Sequence, residues 1–244
     1  RVKVTSENFW LMEECSVDYQ EALKKGIEAK NYERFEEALG WFQKAIALDW
    51  KQPQAYFYRA NIYNHSLKDY SKALEDYDRA IALKQDDEGY YYNRALLFLN
   101  LGDVERAMED YNAALAVNPD YALAIWDKAL IEADWEEFES ALQGLDRVLE
   151  LSPYSAAIIY KDKGNIYYKL EEFEKSLECY NQSLALDPYY TYAYKGRGSL
   201  YTALNRFAEA EADLNQALEY APDDADAKQR LDFLHKKQEL AGRS

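Results

Sequence analysis

The stretch GDVERAMEDYNAALAVNP, residues 102–119, determines the fold of this chain. Its small Ala107 is followed four residues later by the bulky Tyr111 and twelve residues later by Pro119. Residues four apart lie on the same face of an α-helix, so the alanine lets a neighbouring helix approach while the tyrosine fills the adjoining space. Because proline lacks an N–H and restricts the residue before it, Pro119 ends the helix. The stretch predicts one helix that packs closely against others.

The same arrangement recurs along the chain in steps of 34 or 35 residues. The small residues are Ala38, Ala73, Ala107, Ala141, Ser176 and Ala210, and the bulky residues are Phe42, Tyr77, Tyr111, Leu145, Tyr180 and Leu214. Twelve or thirteen positions before each of the small residues just named stands another small residue. These are Gly26, Ala60, Ala95, Ala129, Gly164 and Gly198. The prolines that follow are Pro119, Pro153, Pro188 and Pro222. Each repeat therefore predicts a pair of helices that meet at their small residues.

A unit of 34 residues with these small, bulky and proline positions resembles the tetratricopeptide repeat. The resemblance covers residues 19–222, about six repeats, and implies an all-α, right-handed superhelical solenoid of antiparallel helical pairs. Pairs must stack to bury their apolar stripes, and the ends of the stack must be covered. We expect residues 1–18 to form an N-terminal segment with a short capping helix. We expect residues 223–244 to form a C-terminal capping helix and tail.

Two places depart from the regular step by one extra residue. One lies in the turn of the second pair, near residues 64–68. The other follows the fourth pair, near residues 153–156. Both insertions fall between predicted helices.

The composition is that of an acidic globular protein, with 48% hydrophobic residues, 30% charged residues and a formal net charge of −16. Nucleic acids and anionic membranes are bound through Lys and Arg, so we expect neither as a partner. No apolar run approaches the roughly 18–20 residues of a transmembrane helix. Two cysteines give no disulfide framework and favour a cytoplasmic protein. The absence of an initial Met suggests that an upstream segment is missing.

Motifs for catalysis are absent from the sequence. It contains no G-x-S-x-G, no Gly-rich phosphate loop and no H-E-x-x-H, and its two histidines, His65 and His235, are far apart. We therefore expect no enzymatic activity, no cofactor and no metal site.

The resemblance implies that the first helix of each pair lines an inner, concave face. With the small residue of that helix counted as position eight, positions 2, 5, 9 and 12 point inward by helical spacing. The candidate partner-binding residues are Phe57, Asn61, Tyr92, Leu96, Leu99, Leu123, Trp126, Leu130, Lys161, Asn165, Tyr192 and Lys195. They predict a groove with an apolar, aromatic middle and a basic, amide-bearing end, suited to a partner peptide with acidic residues. The alternative is that tight coiling buries these side chains as core.

A subset of the family grips the C-terminal carboxylates of cytosolic chaperones. That clamp has Lys and Asn at positions 5 and 9 of one repeat, Asn at position 6 of the next, and Lys and Arg at positions 2 and 6 of the third. Lys161 and Asn165 match its first part, but Gly196 stands in place of the next Asn, and no third repeat follows. Counted from the second pair, the matches are Asn61 and Asn93 and the mismatches are Phe57, Leu123 and Asp127. The incomplete clamp predicts that chaperone tails are not the partner.

The sequence therefore predicts a protein–protein interaction scaffold or adaptor that receives a partner peptide or helix in its groove. Two alternatives stay open. In the first, the chain self-assembles and the apolar segment FWLM, residues 9–12, docks into a neighbouring molecule. In the second, the chain is a regulatory or targeting module of a larger protein.

Overall fold

The computed structural model describes residues 17–241, and within this range the chain consists of helices and the turns between them. Thirteen α-helices follow one another: α1 Tyr19–Asn31, α2 Phe35–Leu48, α3 Pro53–Asn61, α4 Tyr70–Leu83, α5 Glu88–Asn100, α6 Val104–Val117, α7 Ala122–Asp134, α8 Phe138–Leu151, α9 Ala156–Lys169, α10 Phe173–Leu186, α11 Thr191–Ala203, α12 Phe207–Tyr220 and α13 Ala225–Ala241. The first twelve form six pairs, and α13 follows alone. The predicted all-α fold of antiparallel pairs is confirmed.

The small residues of the repeat lie where helices approach most closely. Ala38, Ala107 and Ser176 are fully buried on second helices, as are the bulky Phe42 and Tyr111. On α1, a Cβ atom built on Gly26 would lie 2.5 Å from the Phe42 ring. The close approach therefore requires glycine at this position of the first helix.

The turn inside each pair contains one residue in the left-handed region. In the third pair this residue is Gly102, with φ 76°, and the N–H of Asp103 donates to the carbonyl of Phe98 at 2.9 Å. The bond satisfies a carbonyl at the end of α5, as in a Schellman motif. The other five pairs use non-glycine residues with φ between 54° and 64°: Glu33, Lys68, Glu136, Glu171 and Asn205.

The described chain forms two compact units, the first ending at Ala124 and the second beginning at Ile125, in the first turn of α7. In the first unit the core runs between the helical pairs and includes Phe42, Tyr56 and Tyr90. In the second unit a core cluster of α7, α8 and α9 includes Leu145 and Ile159. Each unit thus distributes its core along a stack.

Both insertions take irregular helical forms. The extra residue of the second pair continues α3 into a π-helix, Ile62–Leu67. The one after the fourth pair forms the 3₁₀ turn Pro153–Ser155 ahead of α9. Spacing places the first insertion in the turn of the pair, whereas the structure has it in a π-helical continuation of α3 in which Ile62 and Asn64 are buried.

A basic residue precedes the small residue of every first helix: Lys25, Arg59, Arg94, Lys128, Lys163 and Arg197. Where it is Arg, the second helix of the same pair supplies a buried aspartate. Arg94 Nε and Nη2 donate to both oxygens of Asp110, each at 2.8 Å, and its Nη1 reaches Asp78 of the preceding pair at 2.6 Å. The equivalent bidentate pairs are Arg59 with Asp76 and Arg197 with Asp213. These guanidinium groups therefore join the helices of one pair and also reach the pair before it.

The last helix, α13, covers apolar surface of the sixth pair. Its Leu234 is fully buried with Ala210 and Leu214 of α12, and Leu231 packs beside them.

Of the helices in residues 17–241, none combines the length and apolar content that crossing a bilayer demands. Residues 1–16, where a short capping helix and the alternative docking segment at residues 9–12 are expected, lie outside the described residues.

Candidate functional site

The predicted groove residues of the first unit include packed aromatic rings and aliphatic side chains that are half-buried or exposed. Phe57 packs against Tyr77 and Tyr90, with 4.9 Å between its ring centroid and that of Tyr90. Tyr92 meets Tyr121 edge to face at 5.3 Å. These two aromatic residues help to hold the helices together, as the alternative interpretation expects. The remaining predicted residues here are the half-buried Leu96 and Leu99 and the exposed Leu123.

Asn61 is held in one orientation by the bulky tyrosine of its own pair. The Tyr77 hydroxyl donates to Asn61 Oδ1 at 2.6 Å, so the Nδ2 group remains available as a donor. On α5, Asn93 has the opposite arrangement, because its Nδ2 donates to the Gly89 carbonyl at 2.8 Å and leaves Oδ1 as an acceptor. Both side chains line one cavity in the first unit.

Asn165 in the second unit repeats the arrangement of Asn61. The Tyr180 hydroxyl donates to Asn165 Oδ1 at 2.7 Å, and burial raises the pKa of Tyr180, which keeps the hydroxyl protonated. The Nδ2 group of Asn165 is therefore the free hydrogen-bonding group, and Asn165 is exposed.

Trp126 and Lys161 share one buried carboxylate in the second unit. Trp126 is half-buried, and its Nε1 donates to Asp162 Oδ2 at 3.0 Å. The ammonium group of Lys161 pairs with the other oxygen of Asp162. The predicted aromatic anchor is thus fixed against α9, and the charge of Lys161 is neutralised within the chain.

Lys195 lies in a different environment from the one expected, since it is only 5% exposed. Its Nζ pairs with Asp224 at 2.7 Å and Asp226 at 3.1 Å, both at the start of the last helix. Burial alone would lower the pKa of Lys195, but the hydrogen bonds to the two carboxylates outweigh burial and raise the pKa. Lys195 thus fastens α13 to α11 and presents no free charge to a groove. The neighbouring Tyr192 is exposed, with its ring 4.4 Å below the Lys195 ammonium.

A continuous groove crosses the second unit. It consists of cavities of about 600 and 540 Å³ that share Tyr168 and Arg230. Its lining includes Leu130, Asn165, Tyr168, Arg230, Phe233 and Lys237. Of the predicted set, Leu130 and Asn165 meet here, whereas Trp126, Lys161 and Lys195 are not among the residues that line it.

Sequence reasoning missed the contribution of α13 to this groove. Arg230 Nη1 donates to Ser199 Oγ at 2.6 Å and its Nε to Asp226 at 2.8 Å, while Lys237 Nζ donates to the Thr202 carbonyl at 2.7 Å. The signal was present in the spacing. Counting 34 residues on from Gly198 places the charged Asp232 at position eight. Positions 5, 6 and 9 then fall on Gln229, Arg230 and Phe233, all of which line the groove.

Two acidic side chains of this groove are already paired within the chain. Its carboxylates at Asp162 and Asp226 are each engaged by cations or hydrogen-bond donors of the chain. Within residues 17–241, no three His, Cys, Asp or Glu side chains are grouped so as to hold a metal ion. The arrangement offers apolar contact, one oriented amide and cationic donors.

The family model described as "Tetratricopeptide repeat" matches residues 60–124 and 164–230, and a second model with that description matches residues 41–75. Together they cover more than half of the chain. The comparison with curated proteins found no match to this sequence.

Several solved structures share the fold. PilW, described as a widely conserved type IV pilus biogenesis factor, has a TM-score of 0.74 and 20% identity, with 87% of this chain and 98% of PilW covered. A chain of the APC/C hetero-tetramer Cut9-Hcn1 has a TM-score of 0.71 and 18% identity over 89% of this chain. This protein spans 43% of the length of that chain. YrrB, described as a TPR protein with an unusual peptide-binding site, has a TM-score of 0.62 and 21% identity, with 77% of this chain and 96% of YrrB covered.

Proposed function

The chain belongs to the tetratricopeptide repeat family, whose solenoids are scaffolds for protein–protein interaction, and we propose that the groove of its second unit binds a peptide segment of a partner protein. The segment has apolar residues beside an acidic one. The observation that carries this proposal is the set of exposed apolar side chains around an oriented amide. Leu130 and Tyr168 are partly exposed in the groove, and Phe233 is 61% exposed. Exposed aromatic and aliphatic groups in a concave surface are typical anchors for a ligand.

The amide of Asn165 supports recognition of the peptide main chain. With its Oδ1 engaged by Tyr180, its Nδ2 is placed to donate to a carbonyl of an extended segment. Such a bond depends little on the side chains of the ligand, so it gives affinity without narrow sequence preference. Its expected contribution is about 0.5–1.5 kcal/mol.

Arg230 and Lys237 support recognition of an acidic side chain. Among the described residues, no carboxylate forms an ion pair with Lys237, whose ammonium group is held by backbone carbonyls. Arg230 shares Asp226 with Lys195 and still has a free Nη2 group. These residues, rather than Lys161 and Lys195, are the cations that a ligand in this groove would meet.

The chaperone-tail clamp stays incomplete even with α13 counted as a third repeat. Arg230 then takes the position of the clamp arginine, but Asp226 stands where the clamp has lysine. At Gly196 the clamp asparagine has no room, because a Cβ atom there would lie 2.5 Å from the Tyr180 ring. We therefore propose an acidic, apolar partner segment that is not a chaperone tail.

The test uses peptides selected by phage display on the immobilised chain, followed by fluorescence anisotropy with one labelled peptide. Leu130→Asp should weaken binding about tenfold or more, since it places a charge among the apolar contacts. Asn165→Leu should weaken it about two- to tenfold, the value of one hydrogen bond. The double variant Arg230→Gln with Lys237→Gln should weaken it chiefly at low salt, because charge attraction is screened.

Tyr154→Ser is the matched control, because Tyr154 is fully exposed on the 3₁₀ turn and does not line the groove. It should leave affinity within about twofold. Circular dichroism of each variant checks that the helices are retained. Selected peptides that bind Leu130→Asp and Asn165→Leu as tightly as the unaltered chain would show that the groove is not the site.

A further inference from the structure

The exposed stripe of α1, at the start of the described chain, is polar. It includes Gln20, Lys24 and Glu28, and Lys24 Nζ lies 3.9 Å from Glu28 Oε1. The apolar Leu23 packs instead in the core of the first unit. This stripe therefore offers charged and amide groups, rather than apolar surface, to the segment FWLM at residues 9–12.

The groove of the second unit has the opposite character. Its Leu130, Tyr168 and Phe233 are partly exposed, and they belong to three different helices, α7, α9 and α13. Apolar side chains that face water in a concave surface are stabilised when a ligand covers them. The groove is therefore suited to a segment that carries several large apolar side chains in a row.

The segment FWLM has this chemistry, and two acidic residues follow it. Residues 9–12 are two aromatic residues, a leucine and a methionine, and Glu13 and Glu14 come next. In the groove, Arg230 and Lys237 lie beside the apolar groups, and among residues 17–241 no carboxylate forms an ion pair with Lys237. The apolar and charged groups of the segment thus match those of the groove in kind and in sign.

We propose that residues 9–14 of one molecule, FWLMEE, bind in the second-unit groove of a second copy of this chain. The inference rests on the function proposed above and names the chain's own segment as the occupant of that groove. The four apolar side chains cover the exposed apolar groups of the groove, and the two carboxylates pair with Arg230 and Lys237.

A short link favours a second copy over the same molecule as the source of the segment. From Met12 to Val17, the first described residue, five steps between Cα atoms span at most about 18 Å. In the first unit α1, α3 and α5 lie side by side, since Tyr19 of α1 donates to Gln54 of α3 and rings of α3 and α5 pack together. Packed helices are about 8–10 Å apart, so the link is no longer than the distance from α1 to α5.

The contact joins two different surfaces, a segment and a groove. Each molecule offers one of each, so association is head to tail and yields rings or open chains. A copy with an altered segment can still receive a segment, and a copy with an altered groove can still donate one. Mixing such copies therefore distinguishes this contact from a symmetric one.

Sedimentation velocity of the whole chain between about 1 and 200 µM tests the association, and the average mass should rise with concentration. Trp10→Ser with Leu11→Ser in the segment should weaken association about tenfold or more, because two anchors are lost. Leu130→Asp in the groove should weaken it about as much, because a charge is placed among apolar contacts. An equimolar mixture of the segment variant and the groove variant should form a dimer and nothing larger, since one segment and one groove remain for each pair of molecules.

Val2→Ser with Val4→Ser is the matched control, because it changes two apolar residues that precede residues 9–14. It should leave the association constant within about twofold. Circular dichroism of each variant checks that the helices are retained. Dissociation of the control to the same extent as the segment variant, or unchanged association of Leu130→Asp, would overturn the proposal.

The two glutamates separate local pairing from the overall charge. Two copies with a formal net charge of −16 repel each other, so removing negative charge at a neutral position should favour association. Glu13→Gln with Glu14→Gln should nevertheless weaken association about threefold or more, because the pairing with the groove is lost. Glu33→Gln with Glu36→Gln removes the same charge from exposed positions of the first unit and should not weaken it. Equal effects of the two double variants would overturn the pairing.

The remaining outcomes separate this inference from the function proposed above. A chain that stays a single molecule at every concentration but binds selected peptides in the groove would overturn the inference and leave that function standing. Tighter binding of a selected peptide by the segment variant than by the unaltered chain, measured where both are single molecules, would place the segment in the groove of its own molecule. That result would overturn the assignment to a second copy.

Discussion

At the scale of single residues, Gly26 is required by the ring that faces it. A methyl group at this position would lie 2.5 Å from Phe42, so Gly26→Ala should lower the free energy of unfolding by about 1–3 kcal/mol through overpacking. Gly40, on α2 of the same pair, has open space around its Cα. Gly40→Ala should raise the free energy of unfolding by about 0.5–1 kcal/mol, the gain in helix propensity. Urea unfolding of both variants measures the contrast, and a similar effect of the two changes would refute it.

His65 should make stability depend on pH in a defined window. Its pKa is lower in the folded chain than the ordinary value of 6.5, so the unfolded chain binds the proton more readily. Stability should therefore be lost as pH falls from 6.5 through the folded pKa. Urea midpoints at about pH 7.5 and pH 5.5 should differ less for His65→Gln than for the unaltered chain. His235→Gln should keep the original difference, and equal behaviour of the two variants would exclude His65 as the cause.

At the scale of helices, the buried aspartates should matter more than the exposed ones. Asp110 is 5% exposed and accepts two bonds from Arg94, whereas Asp78 is exposed and accepts one. Asp110→Asn should lower the free energy of unfolding by about 2–3 kcal/mol, because it leaves the guanidinium poorly paired. Asp78→Asn should cost less than about 1 kcal/mol. Thermal unfolding distinguishes them, and equal costs would show that burial of the pair is unimportant.

At a turn residue with positive φ, substitution by glycine should stabilise the chain, unlike the substitutions of aspartate above. Glu171 has φ 59° at the end of α9, a conformation that costs little for glycine and more for other residues. Glu171→Gly should stabilise the chain by about 0.5–1 kcal/mol, whereas Glu174→Gly, within α10, should destabilise it by a similar amount. Calorimetry of the two variants tests the sign. Destabilisation by both changes would mean that the turn is not strained by glutamate.

The sequence pattern predicts these helices well because it acts locally. Ala107, Tyr111 and Pro119 encode packing and termination within a few residues, and four of the six repeats carry all three positions. It predicts the site less well, because the environment of Lys195 depends on Asp224, which is 29 residues away on another element. The position of the insertion near Asn64 was visible, but whether it would form a loop or a π-helix depends on packing that spacing does not describe.

At the scale of the whole molecule, stability should be local. Each helical pair is stabilised mainly by its neighbours in the stack, so unfolding should spread across repeats rather than follow a strict two-state transition. Hydrogen exchange measured by mass spectrometry should show that Gly26→Ala speeds exchange in α1 and α2 far more than in α11 and α12. Uniform acceleration along the chain would show one cooperative unit instead.

The bidentate pairs of arginine and aspartate carry a consequence for how such a chain grows. Arg59, Arg94 and Arg197 occur only where the second helix of the same pair has its aspartate, and the pairs with Trp41, Gly144 or Cys179 at that position have Lys. Recombination that cuts between the two helices of a pair would separate a buried guanidinium from its carboxylate. Recombination between pairs would lose only the outer bond to Gln43, Asp78 or Asn181. The heritable module is therefore the intact pair that begins with a first helix, and gene duplication in units of 34 residues with that phase preserves each of these arginine–aspartate pairs.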